Sequence, residues 1–244
     1  MRNILISIIV AVVITAGMNY LLANLGFSIL IAVIVGLVTF FILIKKTMKE
    51  LEGLNEKAQK AIYSQKFERA IRIYESGLVL RKKSPFIAGQ IYGMIGMLYF
   101  MRRDNKNAKP NLQKASSLNW VAKGMLGVIY MHEKNITEMD KIFRNMVSSG
   151  KKEGLAWALY AYCLSKINKR EDAIKILEEG NKKLKEVDDR IKSNILELRN
   201  GRKMRMKAFG DQWYQFMLEI PKKRMMQQTG PSQGKFKKNA LYKG

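Results

Sequence analysis

The sequence predicts an all-α protein: a two-helix membrane hairpin, then an α-solenoid of about four helix pairs closed by a capping helix. Three observations predict it. No Asp, Glu, Lys or Arg occurs between Asn3 and Ile44. Beyond that stretch the apolar residues recur at helical spacing, without the alternation and turn signals of strands. A pattern of small residues then returns four times at intervals of 31 to 38 residues.

Residues 1–46 form the expected hairpin, with spans at about 4–23 and 27–44. A spanning helix takes about 20 residues at about 1.5 Å each to cross about 30 Å of hydrocarbon. Asn24, Leu25 and Gly26 separate the runs. Gly17 and Gly36 are expected to let the helices approach closely. A cleaved signal peptide is the rival reading of the first run, although only Arg2 precedes it and no small-x-small site follows. Arg2 at one end and Lys45, Lys46 and Lys49 at the other flank the hairpin, while the turn is uncharged. The positive-inside bias therefore predicts a multi-pass protein of the inner (cytoplasmic) membrane with its body in the cytoplasm.

Arg2 aside, every one of the 44 basic residues and all 20 acidic ones lie beyond Ile44, in a chain of net charge +24. Acidic partners are therefore expected: anionic lipid first, with nucleic acid as a less favoured alternative. A single cysteine, Cys163, excludes an internal disulfide framework. A single histidine, His132, is too few for a histidine metal cluster, and Ile136 stands where a His-Glu-x-x-His motif needs its second histidine. No phosphate loop, dinucleotide fingerprint or carboxylate pair is present. No catalytic residue, metal ligand or cofactor is expected, and the reading is of a protein that is not an enzyme.

In residues 47–186, a small residue is followed twelve positions later by a small or apolar one. The pairs are Ala58 with Ala70, Gly96 with Ala108, Gly127 with Met139, and Ala161 with Ala173. "YGMIGMLY" supplies Tyr92, Ile95, Gly96 and Tyr99; "KGMLGVIY" supplies Leu126, Gly127 and Tyr130; "WALYAYCL" supplies Trp157, Ala161 and Leu164. Tyr74, Leu112, Phe143 and Leu177 hold the large apolar position of the second helices. These motifs resemble the tetratricopeptide repeat (TPR) family, whose unit is a helix–turn–helix of about 34 residues. Met139 departs from that pattern, and Pro110 is tolerable only in the first turn of its helix. "DDRIKSNILELRNGRKMRMK", within residues 187–220, is expected to be the capping helix.

The uncharged stretch Phe86–Met101 is too short for a third span and carries the repeat spacing. It also bears a second apolar stripe, Met94, Met97, Phe100 and Met101, which Val121, Met125, Val128 and Met131 continue in the third unit and Leu155, Ala158 and Tyr162 in the fourth. The resemblance implies that this stripe lines a concave, peptide-binding groove, and methionine suits an adaptable greasy contact. In the first unit the matching residues, Glu52, Asn55 and Gln59, are polar. The groove is expected to be covered, either by a partner or by the chain's own "DQWYQFMLEIP" with Trp213, Tyr214, Phe216 and Leu218. Covering about 400 Å² would contribute around 10 kcal/mol before entropic costs.

The last segment is basic: Arg199, Arg202, Lys203, Arg205 and Lys207, then Lys222, Lys223, Arg224, Lys235, Lys237 and Lys238. Residues 221–244 contain no acid and are expected to be disordered. The tail fits lipid clamping, binding of acidic protein or nucleic acid, or solubility alone. Two functions remain in view: a membrane-anchored scaffold or adaptor that binds a protein partner through the groove, and an electrostatic module whose repeats are only a rigid support.

Overall fold

Asn24 sets the first reversal of the chain. The computed structural model describes residues 2–22 and 24–219; the expected disordered tail, 221–244, lies outside them. Among the described residues all regular structure is helical. α1 (Arg2–Leu22) and α2 (Leu25–Tyr63) pack against each other, and the Asn24 side chain caps α2 by accepting from the Phe27 amide at 3.2 Å.

The pair is inside-out by the standards of a water-soluble protein. Asn3, Ser7, Ser28, Ala32 and Gly36 are buried, while Leu5, Ile8, Val12, Val13, Val33, Leu37 and Phe41 are exposed. Each buried hydroxyl donates to a carbonyl four residues back, Ser7 to Asn3 and Ser28 to Asn24, so no polar group faces outward unsatisfied on their account. A Cβ on Gly36 would stand 3.2 Å from that of Ala11, so this glycine permits the close approach; Gly17 meets nothing within 4 Å and plays no such part. The Asn3 amide group bonds Thr47 Oγ1 at 3.0 Å and the Leu43 carbonyl at 3.3 Å. Arg2, Lys45, Lys46 and Lys49 are thereby gathered at one end.

α2 does not stop at residue 46. It runs unbroken for 39 residues, about 58 Å. Residues 47–63 hold no proline, and Leu51, Ala58 and Ala61 give them a buried face. The expected boundary between hairpin and repeats is thus no break in the chain: one helix serves as second apolar run and as first helix of the first pair.

α2 packs on α3 (Phe67–Gly77), α4 (Pro85–Met101) on α5 (Asn105–Gln113), α6 (Trp120–His132) on α7 (Ile136–Ser149), and α8 (Gly154–Lys166) on α9 (Arg170–Lys183). The first helix of each pair ends in the same turn. Gln65, Arg103, Lys134 and Asn168 take left-handed conformations (φ 58° to 62°), and the next amide bonds the carbonyl five residues back. Those bonds run from Lys66 to Ala61, Asp104 to Tyr99, Asn135 to Tyr130 and Lys169 to Leu164. The intervals, 38, 31 and 34 residues, are those of the small-residue pattern.

α10 (Asp189–Arg199) ends in the same way: Gly201 has φ 72° and the Arg202 amide bonds the Glu197 carbonyl at 2.8 Å. The expected capping helix therefore stops at Arg199, not Lys207, because the glycine accepts a left-handed turn at no steric cost. Pro110 is the sixth residue of α5, past the first turn where it was expected. It removes one backbone bond from a helix of only nine residues, and its own side is exposed.

The small residues mark close crossings. A Cβ on Gly96 would come within 2.8 Å of Leu112 Cγ and 2.9 Å of its backbone nitrogen; one on Gly127 would meet the Phe143 ring. Met139, where an alanine was expected, is fully buried. Two apolar clusters result, one spanning Leu51 to Leu98 and a larger one spanning Phe100 to Phe216.

Candidate partner groove

The second stripe is not uniformly open. On α8, Leu155 and Tyr162 are buried; on α6, Met125 and Val128 are buried while Val121 and Met131 are half-buried. On α4, Phe100 is buried, Met94 and Met97 are half-buried, and Met101 is 45% exposed. Glu52 and Gln59 on α2 are exposed. Exposure thus rises from the fourth unit toward the first.

The chain itself covers the deep end. After Arg199 the backbone is pinned where the Arg205 amide donates to Asn194 Oδ1 at 2.6 Å. A 3₁₀ turn (Met206–Phe209) follows, then Gly210 at φ 65°, ψ −150°, a conformation open essentially to glycine alone. α11 (Asp211–Tyr214) then delivers two rings into the stripe. Trp213, fully buried, meets Tyr162 edge-on at 4.8 Å between centroids; Phe216, also fully buried, lies 6.2 Å from the Trp120 ring. Phe216 needs a gap in α6, and Gly124 supplies it: a Cβ there would sit 2.7 Å from the phenyl edge. Tyr214 and Leu218 are half-buried.

Glu219 ties the cover down. Its carboxylate accepts from Trp213 Nε1 at 3.1 Å and from the Tyr162 hydroxyl at 3.3 Å. Burial, reinforced by the Glu219 charge, pushes the Tyr162 phenol well above its usual value, so its proton stays in that bond. Glu219, Gly124 and Trp120 were not legible as site residues. Only the i, i+4 spacing of Trp120 and Gly124 on one face of α6 hinted at them.

The basic surface is partly spent on internal pairs. Arg199 bonds Glu178 at 2.6 Å; Arg202 and Arg205 both reach Glu197, at 2.8 and 2.7 Å, whose side chain is only 7% exposed. Lys203 and Lys207 are exposed. Lys222, Lys223, Arg224, Lys235, Lys237 and Lys238 lie outside the described residues.

His132 is exposed, and burial pushes the Cys163 thiol up, which keeps it protonated and unreactive. Among the described residues no three His, Cys, Asp or Glu side chains converge. A polar cleft of about 450 Å³ lies between α7, α8 and α9, where the Tyr160 hydroxyl donates to Asp140, which pairs with Arg144 at 2.8 Å. Its lining mixes both charge signs, with Lys169, Lys175, Asp172 and Glu179. No family model matches the chain, and no curated protein matches it either.

Proposed function

We propose that this chain is a membrane-anchored helical scaffold of TPR-like pairs, which holds a protein partner at the cytoplasmic face of the membrane and performs no chemistry. The observation that carries the reading is α2 itself. One unbroken helix joins an inside-out apolar hairpin to a stack of helix pairs, so whatever the stack binds is held at a fixed distance from the bilayer. The basic cluster gathered by Asn3 at one end of the hairpin supports a cytoplasmic body.

The partner's place is the shallow end of the groove. Met94, Met97 and Met101 on α4, with Val121 and Met131 on α6, keep apolar surface in reach of solvent, whereas Trp213 and Phe216 already fill the deep end.

A photoreactive residue at Met97 in cells tests this. The expected product is a crosslink to another protein, retained through raised salt and lost when Met94→Glu and Met101→Glu are combined. These two positions avoid Met125, whose burial would turn a charge into a folding defect. Crosslinks confined to the chain's own peptides would overturn the adaptor reading.

A further inference from the structure

The end of the helix stack nearest the hairpin carries exposed large apolar side chains among basic residues. Its level is set by hydrogen bonds. The Asn3 amide, at the start of α1, donates to the Lys83 carbonyl at 3.3 Å, and Lys83 Nζ bonds Glu50 at 2.7 Å. The connection before α4 therefore lies beside the basic end of the hairpin. α4 runs away from there, since Arg102 at its far end pairs with Glu68 at the start of α3. Its first turn leaves Phe86 69% exposed. The next connection folds onto the same end, where the Ser116 amide bonds the Gly89 carbonyl at 3.0 Å, and Leu118 in that connection is 80% exposed.

The charge around these two side chains is mostly positive, with Glu50, paired to Lys83, as a carboxylate among the cations. Residues 78–86, "LVLRKKSPF", and 114–118, "KASSL", bring Arg81, Lys82, Lys83 and Lys114 and no acid. They continue the cluster of Arg2, Lys45, Lys46 and Lys49. Exposed Phe and Leu inside a basic field at the end of an apolar hairpin match the chemistry of a phospholipid interface. Rings and aliphatic chains enter the headgroup boundary there, and cations near anionic lipid add electrostatic attraction.

We propose that Phe86 and Leu118, with the basic residues of their connections, dip into the anionic leaflet of the bilayer that α1 and α2 cross, giving the stack a second membrane contact. This rests on the spanning reading of the hairpin and goes beyond it. The contact fixes the tilt of the stack, so the groove faces along the membrane surface instead of swinging about α2.

Depth-dependent quenching tests it on the full chain in vesicles of phosphatidylcholine doped with anionic phosphatidylglycerol. Cys163 is buried, so a fluorescent thiol label goes to an introduced cysteine. Four variants are compared: Phe86→Cys, Leu118→Cys, Val33→Cys in the hairpin, and Tyr63→Cys, 16 residues and about 24 Å along α2 from Thr47. With brominated acyl chains, Val33→Cys is strongly quenched and Tyr63→Cys stays at background. Phe86→Cys and Leu118→Cys show about half the Val33→Cys effect, as side chains about 5–10 Å into the interface do. Removing the anionic lipid lowers quenching at Phe86→Cys and Leu118→Cys only. Background quenching at either of those two positions beside a strongly quenched Val33→Cys overturns the second contact and leaves the anchored scaffold intact. Background quenching at Val33→Cys overturns the spanning reading and this contact together.

Discussion

Replacing Trp213 by alanine removes the side chain that seats the C-terminal cover. A buried tryptophan takes about 200 Å² from water, worth about 5 kcal/mol at about 25 cal/mol per Å². The Nε1 bond to Glu219 adds about 1 kcal/mol, while alanine's own burial and a compact unfolded chain take some back. About 3–5 kcal/mol is the net, in line with other buried aromatic truncations. α11 is four residues long, so without Trp213 its hold on the stack rests on Phe216 and on the Glu219 bond to Tyr162. The crossings of Gly127 on Phe143 and Gly180 on Trp157 are untouched. The cover is therefore expected to open locally while the helix pairs stay folded. Hydrogen exchange in detergent micelles reads this directly. The amides of Trp213, Phe216 and Met217, bonded to Gly210, Trp213 and Tyr214, are expected to exchange about a hundredfold faster or more. Amides in α8 and α9 are expected to keep their protection. Loss of protection throughout α6 to α9 would show that the cover is integral to the fold, and no change anywhere would show that Trp213 does not hold it.

Three further outcomes follow from the packing and the charges. Gly96→Ala is expected to destabilise by about 1–3 kcal/mol despite alanine's better helix propensity, because its methyl meets the Leu112 backbone, whereas Gly53→Ala, with nothing within 4 Å, is expected to stabilise by about 0.5–1 kcal/mol; urea midpoints at constant slope separate the two. Hydrogen bonds from Arg190 hold the Asp188 carboxyl below its ordinary value of 3.8. Its stabilisation is thus complete above that value and lost as pH falls through the depressed one, and Asp188→Asn should flatten the acid limb of a stability-against-pH curve. Val33→Lys, at an outward position in the middle of the second apolar run, is expected to cost about 2.5–3.5 kcal/mol of membrane insertion and to raise the carbonate-extractable fraction.

Much of the architecture was legible in one dimension. An uncharged run of forty-odd residues has few physical fates, and three of its polar residues, Asn3, Ser7 and Ser28, fall inward as hairpin packing demands, while Asn19 and Asn24 toward the turn are exposed. The 38, 31 and 34 spacing of small residues returns as the spacing of left-handed turns at Gln65, Arg103, Lys134 and Asn168, because each crossing repeats the same local geometry. Finer features carried only a weak local signal. α2 runs through the expected boundary at residue 46 because lysine and glutamate propagate a helix as well as leucine does. The capping helix ends early because Gly201, one residue among basic neighbours, decides its terminus.

The sequence by itself determined which side chains are greasy, at what period they recur and where charge is absent, since those properties belong to residues and their near neighbours. Only the tertiary structure decided which part of the second stripe is covered. Trp213 and Tyr162 are 51 positions apart and Phe216 and Gly124 are 92 apart, and no periodic signal links them. Their meeting depends on a glycine turn at Gly210 and a gap in α6, which exist as a matching pair only once the helices have stacked.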